Sequence, residues 1–135
     1  RKLDNHNIEF LEAVPEQIAK IQSKADVLLL PLKKGISKTA TPSKLTAYLF
    51  SGKPVIACVE DESDVANILN ESGCGLVVEP ENTDAIAMAM KKVSATEKLQ
   101  LQKMGQSGKD YAVLNLSKKA NLNKIVAIIE DMVCK

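Results

Sequence analysis

The chain has 135 residues, a formal net charge of +1, 3% aromatic residues and no Trp. A near-balanced charge argues against a dedicated nucleic-acid binder, which shows a basic excess, and so few rings build no stacking platform for bases. The length suits one domain with a real core, while the longest apolar runs, such as Val27 to Leu30, are far too short to span a bilayer.

Short apolar runs alternate with amphipathic stretches, which is the pattern of parallel α/β layers. Ile8 to Leu11 reads as the first strand. Pro15 to Lys24 reads as a helix with Pro15 near its start and Ile18 and Ile21 inward. Val27 to Leu30 is continuously apolar, as expected of a strand covered on both faces. Leu32 to Ala40 is a polar loop carrying Lys33, Lys34, Gly35 and Lys38. A short helix then opens at Pro42 and ends at Gly52, with Pro54 barring its continuation. The strand Val55 to Val59 follows. Ser63 is expected to cap a helix running to about Asn70, with Val65, Ile68 and Leu69 inward and Gly73 as its stop. Gly75 to Val78 is the last strand. Thr83 is expected to cap the next helix, through Ile86 and Met90, and Thr96 another, carrying Leu99, Met104 and Tyr111. Leu122, Ile125, Val126, Ile129, Met132 and Val133 draw an apolar stripe at helical spacing, which has to dock on something. Four strands in this order imply an α/β fold, a Rossmann-like parallel sheet with helices on both faces. Ligands in such sheets sit beyond the carboxyl ends of the strands.

That edge is where the most informative stretch falls, from Thr41 to Ile56. Pro42 fits the first helical turn, where its missing N–H is no loss, and Thr41 can cap with its hydroxyl. Free backbone N–H groups and the positive end of the helix dipole then point at whatever lies there. With Ser43 and Lys44 beside them, the residues offer an anion site, although capping and a solvated lysine would leave the same trace. Lys33, Lys34 and Lys38 likewise read either as a solvated face or as an attraction for a diphosphate or for anionic headgroups. Glu60, Asp61, Glu62 and Asp64 read as a solvated loop and helix-start charges rather than a metal site. His6, the single histidine, reads as a surface residue, which argues against a Ser-His-Asp or Cys-His device. Cys58, Cys74 and Cys134 are odd in number and form no CxxC pair, so reduced cytosolic thiols are expected, and Cys74 reads as a small packed residue. The opening Arg1-Lys2-Leu3-Asp4 is not expected to begin a secretory signal.

The order Pro42-Ser43-Lys44-Leu45-Thr46-Ala47-Tyr48, then Gly52-Lys53-Pro54-Val55-Ile56, resembles the "group 1" retaining glycosyltransferases of the GT-B fold, in the branch that builds bacterial surface polysaccharides such as capsule. Asn7 to Leu11 with Val14-Pro15, Ala25 to Pro31, Glu71 to Val78, and Met104-Gly105 with Gly108 and Tyr111 continue the likeness over most of the chain. The resemblance implies that residues 1–135 are the distal part of a C-terminal donor-binding domain, with the other half and the opening strands lying outside them. It implies transfer of a sugar, with retention, from a nucleotide-diphosphate donor such as a UDP-sugar to a glycan or lipid-linked acceptor. The expected setting is the cytoplasm, with peripheral contact to the inner membrane face, and no metal or separate cofactor is expected.

Thr41, Pro42, Ser43 and Lys44 would hold the diphosphate, and Val14 and its neighbours the base. Members of the family carry two glutamates separated by seven residues, where this chain has Thr39 and Ala47. Thr39 would therefore face the donor sugar, in the catalytic place. Ala47 stands where a glutamate would hold the ribose hydroxyls. A methyl group accepts no hydrogen bond from a diol, so either the nucleotide is held differently or this copy is altered. The terminal stripe is expected to pair with a second copy, giving a homodimer, unless it docks on its own domain or frays. Two rival readings are a nucleotide-sugar-binding domain without catalysis and a receiver-like regulatory module. Against the latter, Pro31 stands where a phospho-accepting Asp would end the strand.

Overall fold

Period-two alternation along the strands sorts side chains to two faces. Val55, Ala57 and Val59 join Leu30, Leu45, Leu49, Val65 and Leu69 in the larger core cluster. Ile56 points the other way, to Ala89 and Val93, backed by Leu29, Leu76 and Val78. The computed structural model in which these clusters are seen describes residues 8–12, 14–37 and 43–133. Its elements are α1 (Pro15–Lys24), β1 (Leu28–Pro31), α2 (Ser43–Phe50), β2 (Val55–Cys58), α3 (Asp64–Ser72), β3 (Gly75–Val78), α4 (Thr83–Ser94), α5 (Lys98–Asn115) and α6 (Lys118–Val133).

The strands form a parallel sheet ordered β1-β2-β3, with Leu28 opposite Val55 and Val55 opposite Gly75. All four β2 residues are buried, as a central strand covered on both faces requires. The crossover helices α2 and α3 lie on the same face, as right-handed connections stepping in one direction require. The α5 helix packs against both of them, and α4 covers the opposite face of β2 and β3, with Leu101 from the start of α5 beside it. The expected α/β sheet with helices on both faces is therefore present.

Several helix ends follow the sequence. The Ser63 side chain accepts from the Ala66 N–H at 3.2 Å. Gly73 ends α3 in the left-handed region at φ 63°, where a side chain would be strained. Two caps move by one residue. Asn82, not Thr83, caps α4, its side chain accepting from the Ala85 N–H at 2.9 Å. Both residue types can cap, and backbone geometry chose the amide. Glu97 precedes α5 without a side-chain cap, and the Thr96 hydroxyl instead donates back to the Lys92 carbonyl at 2.8 Å.

One expected strand is not formed. Ile8 to Leu11 runs outside the sheet, and Phe10 is 94% exposed. The segment has strand-like composition, but β1 pairs only with β2 among the described residues. Among the described residues no strand lies beside it to bond to, and a run without such a neighbour gains nothing by ordering as a strand.

Close packing of α5 depends on two glycines. A Cβ on Gly105 would overlap the Gly52 carbonyl oxygen, and one on Gly108 would stand 2.7 Å from the Cys74 Cβ. The Met104-Gly105 and Gly108 pattern is thus the imprint of a helix lying directly on the α2–β2 turn and the start of β3. The α6 helix, by contrast, buries none of its residues; its face has Ile125 at 52% and Ile129 at 54% exposure. Among the described residues no helix is long and apolar enough to cross a membrane.

Candidate functional site

The α2 helix begins at the carboxyl side of the sheet. Its first described residues are Ser43 and Lys44, both exposed, and Leu45 and Leu49 anchor it in the core. Gly52 closes it in the left-handed region, its N–H donating to the Leu49 carbonyl at 3.0 Å. Ser43 and Ala47 lie one turn apart, so they share a face. That face borders a groove of about 560 Å³ between α1 and α2, beside β1. Leu11, Ile18, Ile21, Leu28 and Tyr48 give the groove an apolar floor, and Ser43, Lys44 and Gln22 give it polar edges.

The structure thus brings Ser43, Lys44 and Ala47 together. Val14 lies apart from the groove lining as the N-cap of α1. It is exposed, and its carbonyl accepts from the Gln17 N–H at 2.9 Å. Thr39, Thr41 and Pro42 lie outside the described residues, as do Lys38, His6 and Cys134. The chemistry available at the described part is anion binding: a hydroxyl donor and an ammonium at the positive end of an eight-residue helix.

The turn leading from β1 toward this helix is held by a feature that composition did not reveal. Lys33 to Ile36 form a turn in which the Ile36 N–H donates to the Lys33 carbonyl at 3.1 Å. Gly35 sits at φ 86°, open to solvent, where glycine is the natural occupant. Its N–H and the Ser37 hydroxyl both donate to the Glu60 carboxylate, one to each oxygen. The Glu60 N–H in turn donates to the Ser37 oxygen at 3.1 Å. Ser37 is 3% exposed and Glu60 half-buried. Glu60 is therefore not the solvated loop acid expected from its neighbours. The signal was invisible in the chain because 23 residues separate it from Ser37. Asp64, in the first turn of α3, does match the expectation of an acid at a helix start.

Lys34 borders a smaller cavity of about 220 Å³ with Glu60, Asp61, Glu62 and Glu79, so part of the loop's positive charge faces carboxylates. Among the described residues no cluster of three or more His, Cys, Asp or Glu side chains could hold a metal ion. Burial pushes the Cys58 and Cys74 thiols above the ordinary thiol range, which leaves them protonated and packed rather than nucleophilic.

A family model described as "Glycosyl transferases group 1" matches residues 1–96, which take in the whole sheet and α2. The "Probable glycosyltransferase WbjE" of Pseudomonas aeruginosa is 25% identical over 107 residues, covering 79% of this chain and 26% of that protein. The chain thus spans about a quarter of the length of the curated relative it matches. No solved structure matches the chain significantly.

Proposed function

Because this chain belongs to the group 1 glycosyltransferases, we propose that it binds the diphosphate of a nucleotide-sugar donor at the start of α2. The observation that carries this reading is the placement of Ser43 and Lys44 on the rim of the α1–α2 groove, at the positive end of a helix. In such a reaction the leaving group is a diphosphate, and its negative charge grows as the glycosidic bond breaks. Fixed donors and a cation aimed there lower the barrier by positioning and by charge stabilisation. Thr39 would face the sugar, and Thr41 and Pro42 would complete the diphosphate cradle.

We read residues 1–135 as part of a donor-binding domain, with the acceptor side elsewhere in the protein. A UDP-sugar is the proposed donor and a glycan or lipid-linked acceptor the proposed recipient. Bacterial surface polysaccharide synthesis at the cytoplasmic face of a membrane is the proposed setting. Donor binding without catalysis is the second reading. It is favoured by Ala47, whose methyl group lines the groove where an acceptor for ribose hydroxyls would serve.

Titration of uridine diphosphate against this chain tests the site. Lys44→Ala should weaken binding about fivefold or more, the scale of one charge-assisted hydrogen bond. Ala47→Glu should strengthen it, and only for a ligand with ribose hydroxyls, so the 2′,3′-dideoxy analogue is the control. Equal affinity of Lys44→Ala and parent refutes the diphosphate assignment. Equal gains for both ligands with Ala47→Glu place the ribose elsewhere.

A further inference from the structure

We infer that Glu60 is a positioning residue for donor binding: it straps the β1–α2 loop to the end of β2 and so sets the approach of the chain to the anion site. The inference rests on the donor reading above. The strap is made at three points. The Gly35 N–H and the Ser37 hydroxyl reach separate oxygens of the Glu60 carboxylate, and the Glu60 N–H returns to the Ser37 oxygen. Two of its members are anchored by more than one another. Glu60 follows Val59, whose N–H donates to the Val78 carbonyl at 3.0 Å, so the carboxylate stands on the sheet itself. Gly35 sits in a turn closed by Lys33 and Ile36. The loop is therefore fixed to the sheet at Ser37, six residues before Ser43 opens α2. An anion site gains affinity when its donors are held in place before the ligand arrives, because less ordering is left to binding.

A carboxylate at the same carboxyl edge of the sheet as an anion site has a second effect of opposite sign. Its charge repels a diphosphate. If Glu60 mattered only through charge, neutralising it would tighten anion binding. If it matters through the strap, neutralising it weakens binding, because a Gln offers one acceptor oxygen where the carboxylate uses two. The sign of the effect separates the two roles.

The test titrates uridine diphosphate against parent, Glu60→Gln, Ser37→Ala and the double variant at fixed ionic strength. Circular dichroism establishes that each is fully folded at the working temperature. Glu60→Gln should bind about fivefold more weakly, with faster amide exchange confined to residues 35–37. Ser37→Ala removes only a hydroxyl, and it should show a loss of the same sign even if Glu60→Gln does not fold. The double variant should lose little more than either single one, since both act through one device. Equal or tighter binding by Glu60→Gln overturns the inference while leaving the anion site standing. A parent that binds no uridine diphosphate refutes the donor reading, and the inference falls with it.

Discussion

Gly105 lies inside α5 and outside the left-handed region, so its missing side chain is a question of space rather than of backbone conformation. Gly105→Ala sets two effects against each other. Alanine in a helix interior is worth about 0.5–1 kcal/mol over glycine. Against this, the added methyl would overlap the Gly52 carbonyl oxygen and stand 3.1 Å from the Lys53 Cα. Overpacking of this kind costs about 1–3 kcal/mol. The upper part of that range applies, because the atoms struck are backbone in a turn held by the Gly52 N–H bond to Leu49. The net effect is a loss of about 1–2 kcal/mol. With a urea dependence of about 1.5 kcal/mol per molar, the unfolding midpoint should fall by roughly 1 M, read by far-ultraviolet circular dichroism. Gly73→Ala is the control, since no atom lies within 4 Å of its Cβ and only the left-handed φ of 63° is strained. It should cost about 1 kcal/mol. A midpoint for Gly105→Ala equal to or above the parent's would refute the close-packing argument.

Alkaline pH should expose the buried thiols and Tyr111. Burial raises Cys58 and Cys74, and burial followed by the adjoining Glu71 raises Tyr111, whose hydroxyl donates to that carboxylate at 3.0 Å. The folded state therefore favours the protonated forms. Their contribution is fully present below the ordinary values, near pH 9 for the thiols and 10 for the phenol, and is lost as pH rises through the raised folded values. The thermal midpoint should decline above pH 9 and decline less steeply in Cys74→Ala; a midpoint level to pH 11 contradicts this. The exposed face of α6 should pair with a second copy, and Ile129→Asp should turn the dimer into a monomer by light scattering. A parent that is monomeric, with α6 amides protected from exchange, would show that the helix docks on its own domain instead.

How far the sequence could be read depended on whether each signal was local. Val27 to Leu30, Val55 to Val59 and Gly75 to Val78 announced themselves as unbroken apolar runs of strand length, although only β2 is buried along its whole length. Ser63 and Gly73 were legible because a cap acts on its own turn. Ile8 to Leu11 carried a similar signal, interrupted by Glu9, yet strand formation needs a neighbour that no local pattern reports. Asn82 and Thr83 are adjacent residues of equal capping chemistry, and only the entry angle of the chain decides between them. At the site, Ser43 and Lys44 stood out because a helix start is a local anion signal. Glu60 did not, because its partners are brought to it by the crossover from β1 to β2. Among acids at positions 60, 61, 62 and 64, nothing in the chain marks Glu60 as the one that reaches Gly35 and Ser37.

Each pairing in the sheet joins strands that lie on either side of a whole helix, and the chain order of the strands is also their spatial order. No strand here can find its partner as a hairpin. Closing a crossover must precede any gain from pairing, and such long closures slow folding. During synthesis, Leu28 to Leu30 are therefore made before Val55 to Cys58, and the strand edge that β2 covers stays unpaired until the whole of α2 has followed. That interval, rather than the finished fold, is when this apolar run is open to chaperones and to self-association.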